Sequence, residues 1–134
     1  MITANEIRDG LVLRLDPDEL ESRGGRCTGD PNYRVQGAHF FLCLAANEEA
    51  GNWVPLFPDP GPRRDLIANA NKLGPKGWRD SETFFHTEQV WQAPNAAVVE
   101  ASIVGGDLSQ PDQRNFVNDA GIDAVYEIVF GEPA

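Results

Sequence analysis

No apolar run in this chain approaches the ~20 residues that a membrane-spanning helix needs. Its first ten residues, MITANEIRDG, carry charge where a signal peptide would carry an apolar core. The two absences predict a cytoplasmic address and no membrane partner. The chain has only two cysteines, Cys27 and Cys43, and two histidines, His39 and His86. Neither pair has metal-site spacing, so the thiols are expected to be reduced and no metal or cofactor is expected. The sequence holds no P-loop, no G-x-G-x-x-G and no G-x-S-x-G, which removes the commonest nucleotide-binding and hydrolase signatures. Basic residues are scarce as well: 11 Lys and Arg face 21 Asp and Glu, a net charge of −10. A protein that coats nucleic acid or an anionic membrane is built the other way round.

What is present suits one globular domain over residues 1–134, with 41% hydrophobic and 24% charged residues. The charge is uneven. Between Arg63 and Arg79 five basic residues stand against one acid, Asp65. This local excess on an acidic body predicts a ligand-binding surface of Arg63, Arg64, Lys72, Lys76 and Arg79, joined by Arg34 from an earlier loop. Trp78 belongs with them: it neighbours Lys76 and Arg79, and Gly74-Pro75 and Gly77 keep the loop open for stacking.

Periodicity and turn residues predict the elements. Thr3 and Glu6 form a capping-box pattern, one helical turn ahead of a strand at 11–15 with its three leucines on one face. Residues 16–34 lack a stable period and read as a long loop. AHFFLCLAA (38–46) reads as a strand buried on both faces, and WVPLF (53–57) as its hairpin partner. Pro55 cannot donate to a ladder, so that strand is expected at an edge or bulge. Residues 58–64 are irregular, 65–73 read as a short helix, 82–93 as extended with an interruption, and 96–104 as a strand. The pattern from Ser109 to Ala120 predicts a helix stopped by Gly121, and 124–130 a final strand. The sum is a mostly-β (β+α) fold, a small SH3-like barrel of five to six short strands with one helix at about 109–120.

His39 and Cys43 lie four residues apart on one strand, about 13 Å in extended chain. A thiolate–imidazole pair needs atoms in hydrogen-bond contact, so these two do not form a dyad. Leu42 and Leu44 make Cys43 a packing residue. The catalytic candidates are therefore Arg34, His39 and His86.

Three stretches, IRDGLVLRLDP (7–17), HFFLCLAAN with WVPLF (39–57), and the run from Phe84 to Gly121, resemble the MazF/PemK group of toxin barrels. The resemblance implies an SH3-like barrel that pairs as a homodimer and, in a toxin-antitoxin setting, cuts RNA with an Arg before the second strand and a hydroxyl at the end of the third. Here Arg34 is displaced from its strand by four residues, and Phe57-Pro58 stands where the hydroxyl is expected. The leading expectation is thus a binding module that contacts RNA or an acidic partner protein through its basic loops. The alternatives are a divergent metal-independent endoribonuclease using Arg34 with His39 or His86, and an acidic phage- or plasmid-type inhibitor or decoy.

Overall fold

The computed structural model describes residues 2–103 and 114–131. Thr3 donates its backbone N–H to Glu6 Oε2 at 2.7 Å, closing a single 3-10 turn (Ala4–Glu6). Nine strands follow: β1 (Leu11–Leu15), β2 (Arg26–Cys27), β3 (His39–Ala46), β4 (Ala50–Phe57), β5 (Arg64–Ile67), β6 (Lys72–Leu73), β7 (Thr83–His86), β8 (Trp91–Pro94) and β9 (Asn115–Val117). Four helices accompany them: α1 (Pro17–Ser22), α2 (Lys76–Asp80), α3 (Asn95–Ala101) and α4 (Asp119–Phe130). Among the described residues no helix is long and apolar enough to cross a membrane.

The mostly-β class is as expected, with more strands than the five or six read from the sequence. All pairings are antiparallel, in the order β2-β8-β4-β3-β1-β9-β6, and β7 and β5 branch from the far half of β4. Among the described residues the ends of this order do not pair, so the sheet does not close into a barrel.

The β3–β4 hairpin is buried on both faces. One face presents Leu11, Leu13, Leu15, Phe41, Cys43 and Trp53 to Leu20 of α1 and to Ala97, Val98 and Ala101 of α3. The other presents Val12, Leu42, Leu44, Val54 and Leu56 to Ile67, Phe85 and α4, which contributes Ile122 and Val125. Burial raises the Cys43 thiol far above its ordinary range.

Several expectations are corrected. Within 16–34, Asp16 caps α1 by accepting from Asp18 N–H at 3.0 Å, with Pro17 at the first helical position. Residues 65–73 are two strands around a 3-10 turn (Asn69–Asn71), not a helix. Residues 95–101 are helical because Ala97, Val98 and Ala101 seat on the core at helical spacing. Of the helix expected at 109–120, residues 109–113 lie outside the described residues and 115–117 are strand β9. The helix starts only at Asp119, ten residues later than expected: Asn118 Oδ1 accepts from Gly121 N–H at 2.9 Å, so Gly121 sits inside α4 rather than ending it, and 124–130 is helix rather than strand.

Leu15 is fully buried where β1 meets α1 and α3. Leu15→Ala is expected to cost about 2–5 kcal/mol in urea unfolding with an unchanged m-value. A loss below about 1 kcal/mol would contradict this packing.

Candidate functional site: two arginines and two histidines around Phe57

The antiparallel register of β4, β7 and β5 sets which side chains share a face. Arg64 stands opposite His86, Leu66 opposite Phe84, and Phe84 opposite Phe57. These five residues therefore line one side of the small wing. Phe57, itself 9% exposed, is its floor. The Arg64 guanidinium lies 3.8 Å above its ring, His39 meets it edge-on at 5.2 Å, and His86 lies at 6.4 Å. His39 and His86, 47 positions apart in the chain, thus flank one aromatic ring.

Backbone partners assign the imidazole nitrogens. His39 Nδ1 lies 3.3 Å from the Leu56 carbonyl oxygen, which can only accept. Nδ1 is therefore the donor, and Nε2 is left as the acceptor in the neutral ring. His86 has the opposite arrangement. Its Nδ1 accepts from the backbone N–H of Glu88 and of Gln89, both at 3.0 Å, so its proton resides on Nε2. Burial lowers the His86 pKa below the usual imidazole range; Glu88 opposes this, and Arg63 and Arg64 add to it.

Arg63 precedes β5 with φ of +60°, a left-handed conformation that costs a non-glycine residue of order 1 kcal/mol. Its carbonyl accepts from Thr87 N–H at 2.9 Å. Its guanidinium lies 3.8 Å over the Tyr33 ring, donates to Tyr33 Oη at 2.9 Å, and approaches Glu88 at 3.5 Å. Tyr33 is 44% exposed. The loops carrying Tyr33 and Arg63 therefore meet.

The rest of the expected basic surface does not assemble there. Arg34 donates to Glu21 at 2.7 Å, to Asp18 at 2.8 Å and to its neighbour's carbonyl, Val35 O, at 2.8 Å, and stacks over Trp91. Its cation is committed to α1. Lys72 is buried, and its ammonium donates to Trp78 O, Ser81 O and Thr83 Oγ1. Its three protons are spent inside the protein, and burial lowers its pKa. The Trp78 indole donates to Phe116 O at 3.1 Å and packs beneath Lys72, so it is no free stacking platform. Lys76 pairs with Asp80 at 3.5 Å, and Arg79 donates to Gly74 O at 2.9 Å. These residues flank a groove of about 400 Å³ lined by Phe40, Phe57, Pro58, Pro75 and Trp78. β7 links the two regions, with Thr83 beside Lys72 at one end and His86 at the other.

The sequence reading missed Tyr33, Phe57 and Glu88. Tyr33 adjoins Arg34, but nothing in its local pattern points to Arg63 thirty residues later. Among the described residues no cluster of three or more His, Cys, Asp or Glu is placed to hold a metal ion. Among known proteins, no family model and no curated protein matches this chain.

Arg34→Gln removes two charge-assisted contacts whose carboxylates are largely solvated. It is expected to lower stability by about 1–2 kcal/mol in urea unfolding while leaving the Arg63–Arg64 surface intact.

Proposed function

We propose that the protein is an RNA-binding module acting in the cytoplasm, with Arg63 and Arg64 as its phosphate contacts. The carrying observation is the pair of guanidiniums held over aromatic rings, Arg64 over Phe57 and Arg63 over Tyr33, each 3.8 Å from the ring centroid. Each ring fixes its guanidinium's orientation in advance; Arg63 donates one N–H to Tyr33 Oη and Arg64 one to Asp59 O at 3.1 Å, and their other N–H groups are the ones offered to phosphate. Leu66, 50% exposed, and the half-buried Phe84 extend the same face, giving single-stranded bases an apolar surface beside the cations. The Nε2 acceptor of His39 suits a ribose 2′-hydroxyl, the group that separates RNA from DNA. A net charge of −10 disfavours long polyanions elsewhere and confines binding to this patch. The free thiols Cys27 and Cys43 suit a reducing compartment.

A second reading, a metal-independent endoribonuclease, draws on one observation: His39 Nε2 and the Arg64 guanidinium share the Phe57 ring. A base and a cation are two of the parts such cleavage uses. The proton donor is the weak part, since His86 held neutral offers a hydrogen bond rather than an acidic proton. Labelled RNA left intact by the protein in EDTA would remove this reading.

For binding, fluorescence anisotropy with a labelled single-stranded oligoribonucleotide is the direct test. Reversing both charges (Arg63→Glu with Arg64→Glu) is expected to weaken binding at least about tenfold and to flatten the dependence of log K on log salt by roughly 1–2. Equal binding by the parent and the double variant would overturn the assignment.

A further inference from the structure

The turn after β7 is where the proposed ligand face is tied together. His86 Nδ1 accepts two backbone protons from it, those of Glu88 and Gln89. The same turn holds both stacked partners of the site. Thr87 N–H donates to the carbonyl of the left-handed Arg63, and the Glu88 carboxylate approaches its guanidinium. The Gln89 side chain donates to Tyr33 O at 2.7 Å, while its Oε1 accepts from Val35 N–H at 3.3 Å and from Trp91 Nε1 at 2.9 Å. Arg63 and Tyr33 are thus positioned through a turn that requires a bare nitrogen at His86. A proton on Nδ1 would set a donor against two donors, losing both hydrogen bonds and leaving partly buried N–H groups unsatisfied.

We infer that His86 is a pH-sensitive latch on the ligand face: neutral, it closes the 86–89 turn and holds Arg63 and Tyr33 together; protonated, it opens the turn and releases them. This regulation rests on the reading of that face as the RNA site.

The charged groups facing His86 are Glu88 on its own turn, Arg63 on the loop before β5 and Arg64 on β5, while His39 of β3 lies across Phe57. One carboxylate favours the proton; two guanidiniums and burial disfavour it, so the latch stays closed at neutral pH. Because the folded pKa is lowered, the unfolded chain takes up the proton first as pH falls. The stabilisation is complete above the ordinary value of 6.5 and is lost progressively below it. The sign for ligand binding is distinctive. An imidazole that simply met a phosphate would tighten binding on acidification, whereas a latch loosens it.

The test compares the parent protein with His86→Asn. An Asn at this place can accept the N–H groups two and three residues on, as in an Asx-turn, but cannot titrate. In the parent, nitrogen NMR of the imidazole should show the Nε2–H form at pH 7.5. The amide resonances of Tyr33, Arg63, Glu88 and Gln89 should then move together between pH 7.5 and 4.5, with one midpoint below 6.5. In His86→Asn that shared titration should vanish. Affinity of the parent for the labelled oligoribonucleotide should fall about fivefold or more over the same range. An Nδ1–H form, an imidazole that stays neutral with unmoved amides, a shared titration that persists in His86→Asn, or binding that tightens on acidification would each overturn the latch. If His86→Asn does not fold, the tautomer and the joint titration of the parent decide. An oligonucleotide that binds at neither pH, beside a clear joint titration, overturns the RNA reading and leaves the latch standing.

Discussion

A single missing N–H, at Pro55, decides how the sheet divides. β4 runs against β3 as far as Pro55, opposite Phe41. On its other side, pairing with β8 ends at Trp53 and pairing with β7 begins at Leu56. Val54 and Pro55 lie between, where a residue without an amide proton would break any ladder. The strand therefore changes partner there and seeds two wings. The β8 wing carries α3 and packs onto α1. The β7 wing, with β5 beyond it, carries the face of Arg64, Leu66, Phe84 and His86. Phe57, two residues past the change of partner, stands at the root of that second wing, which is why two imidazoles and the Arg64 guanidinium converge on it.

The basic residues separate by what they spend their protons on. Lys72, 3% exposed, satisfies two carbonyls and a hydroxyl across the gap between β6 and β7. Arg114, 4% exposed, reaches Glu6 at 3.2 Å and secures the chain entering β9 against the first turn. Arg34 clamps α1. A desolvated cation must be matched in this way or it destabilises the fold. Arg63 and Arg64 answer a different need, since aromatic faces orient them while solvent still reaches them. Local positive charge in a sequence cannot separate these two uses, because the deciding partner can lie 30 or 108 positions away, as for Arg63 with Tyr33 and Arg114 with Glu6.

Where burial is symmetric along the chain the sequence was readable. The alternation in β1 and the apolar run of β3 report their own surroundings, whereas β4, expected at an edge or with a bulge at Pro55, is an interior strand whose register with β3 shifts between Cys43 and Ala45 instead. The failures share a cause: local patterns that suit two structures. AVYEIVF alternates like a strand, but Val125 falls three residues after Ile122, and that helical spacing meets the core. Gly121 resembles a helix stop until Asn118 is seen to cap it. NAAVVEA sets two β-branched valines among three alanines, a composition that suits either structure, and α3 is fixed by its seat on the core. The two histidines and the two decisive arginines were identifiable by type. Their grouping was not, because it arises from strand register and from a turn built around an imidazole nitrogen.

That turn bears on which chemistry the proposed face could carry. Cleaving a phosphodiester by transesterification calls for a base near the 2′-hydroxyl and an acidic proton near the leaving oxygen. His39, beside Phe57, leaves Nε2 as its acceptor in the neutral ring. His86, beside the same ring, accepts two backbone amide protons at Nδ1, and its remaining N–H belongs to an uncharged ring whose proton is far too weakly acidic to be given up. Charging that ring would require the proton to arrive at the nitrogen that organises Arg63 and Tyr33, so gaining an acid would undo the turn that holds those two residues. Pro58 adds no hydroxyl after Phe57, and Arg34 is turned toward α1. The hydrogen bonds at His86 Nδ1 that tie Arg63 and Tyr33 to this turn are the same ones that keep an acidic proton off that nitrogen.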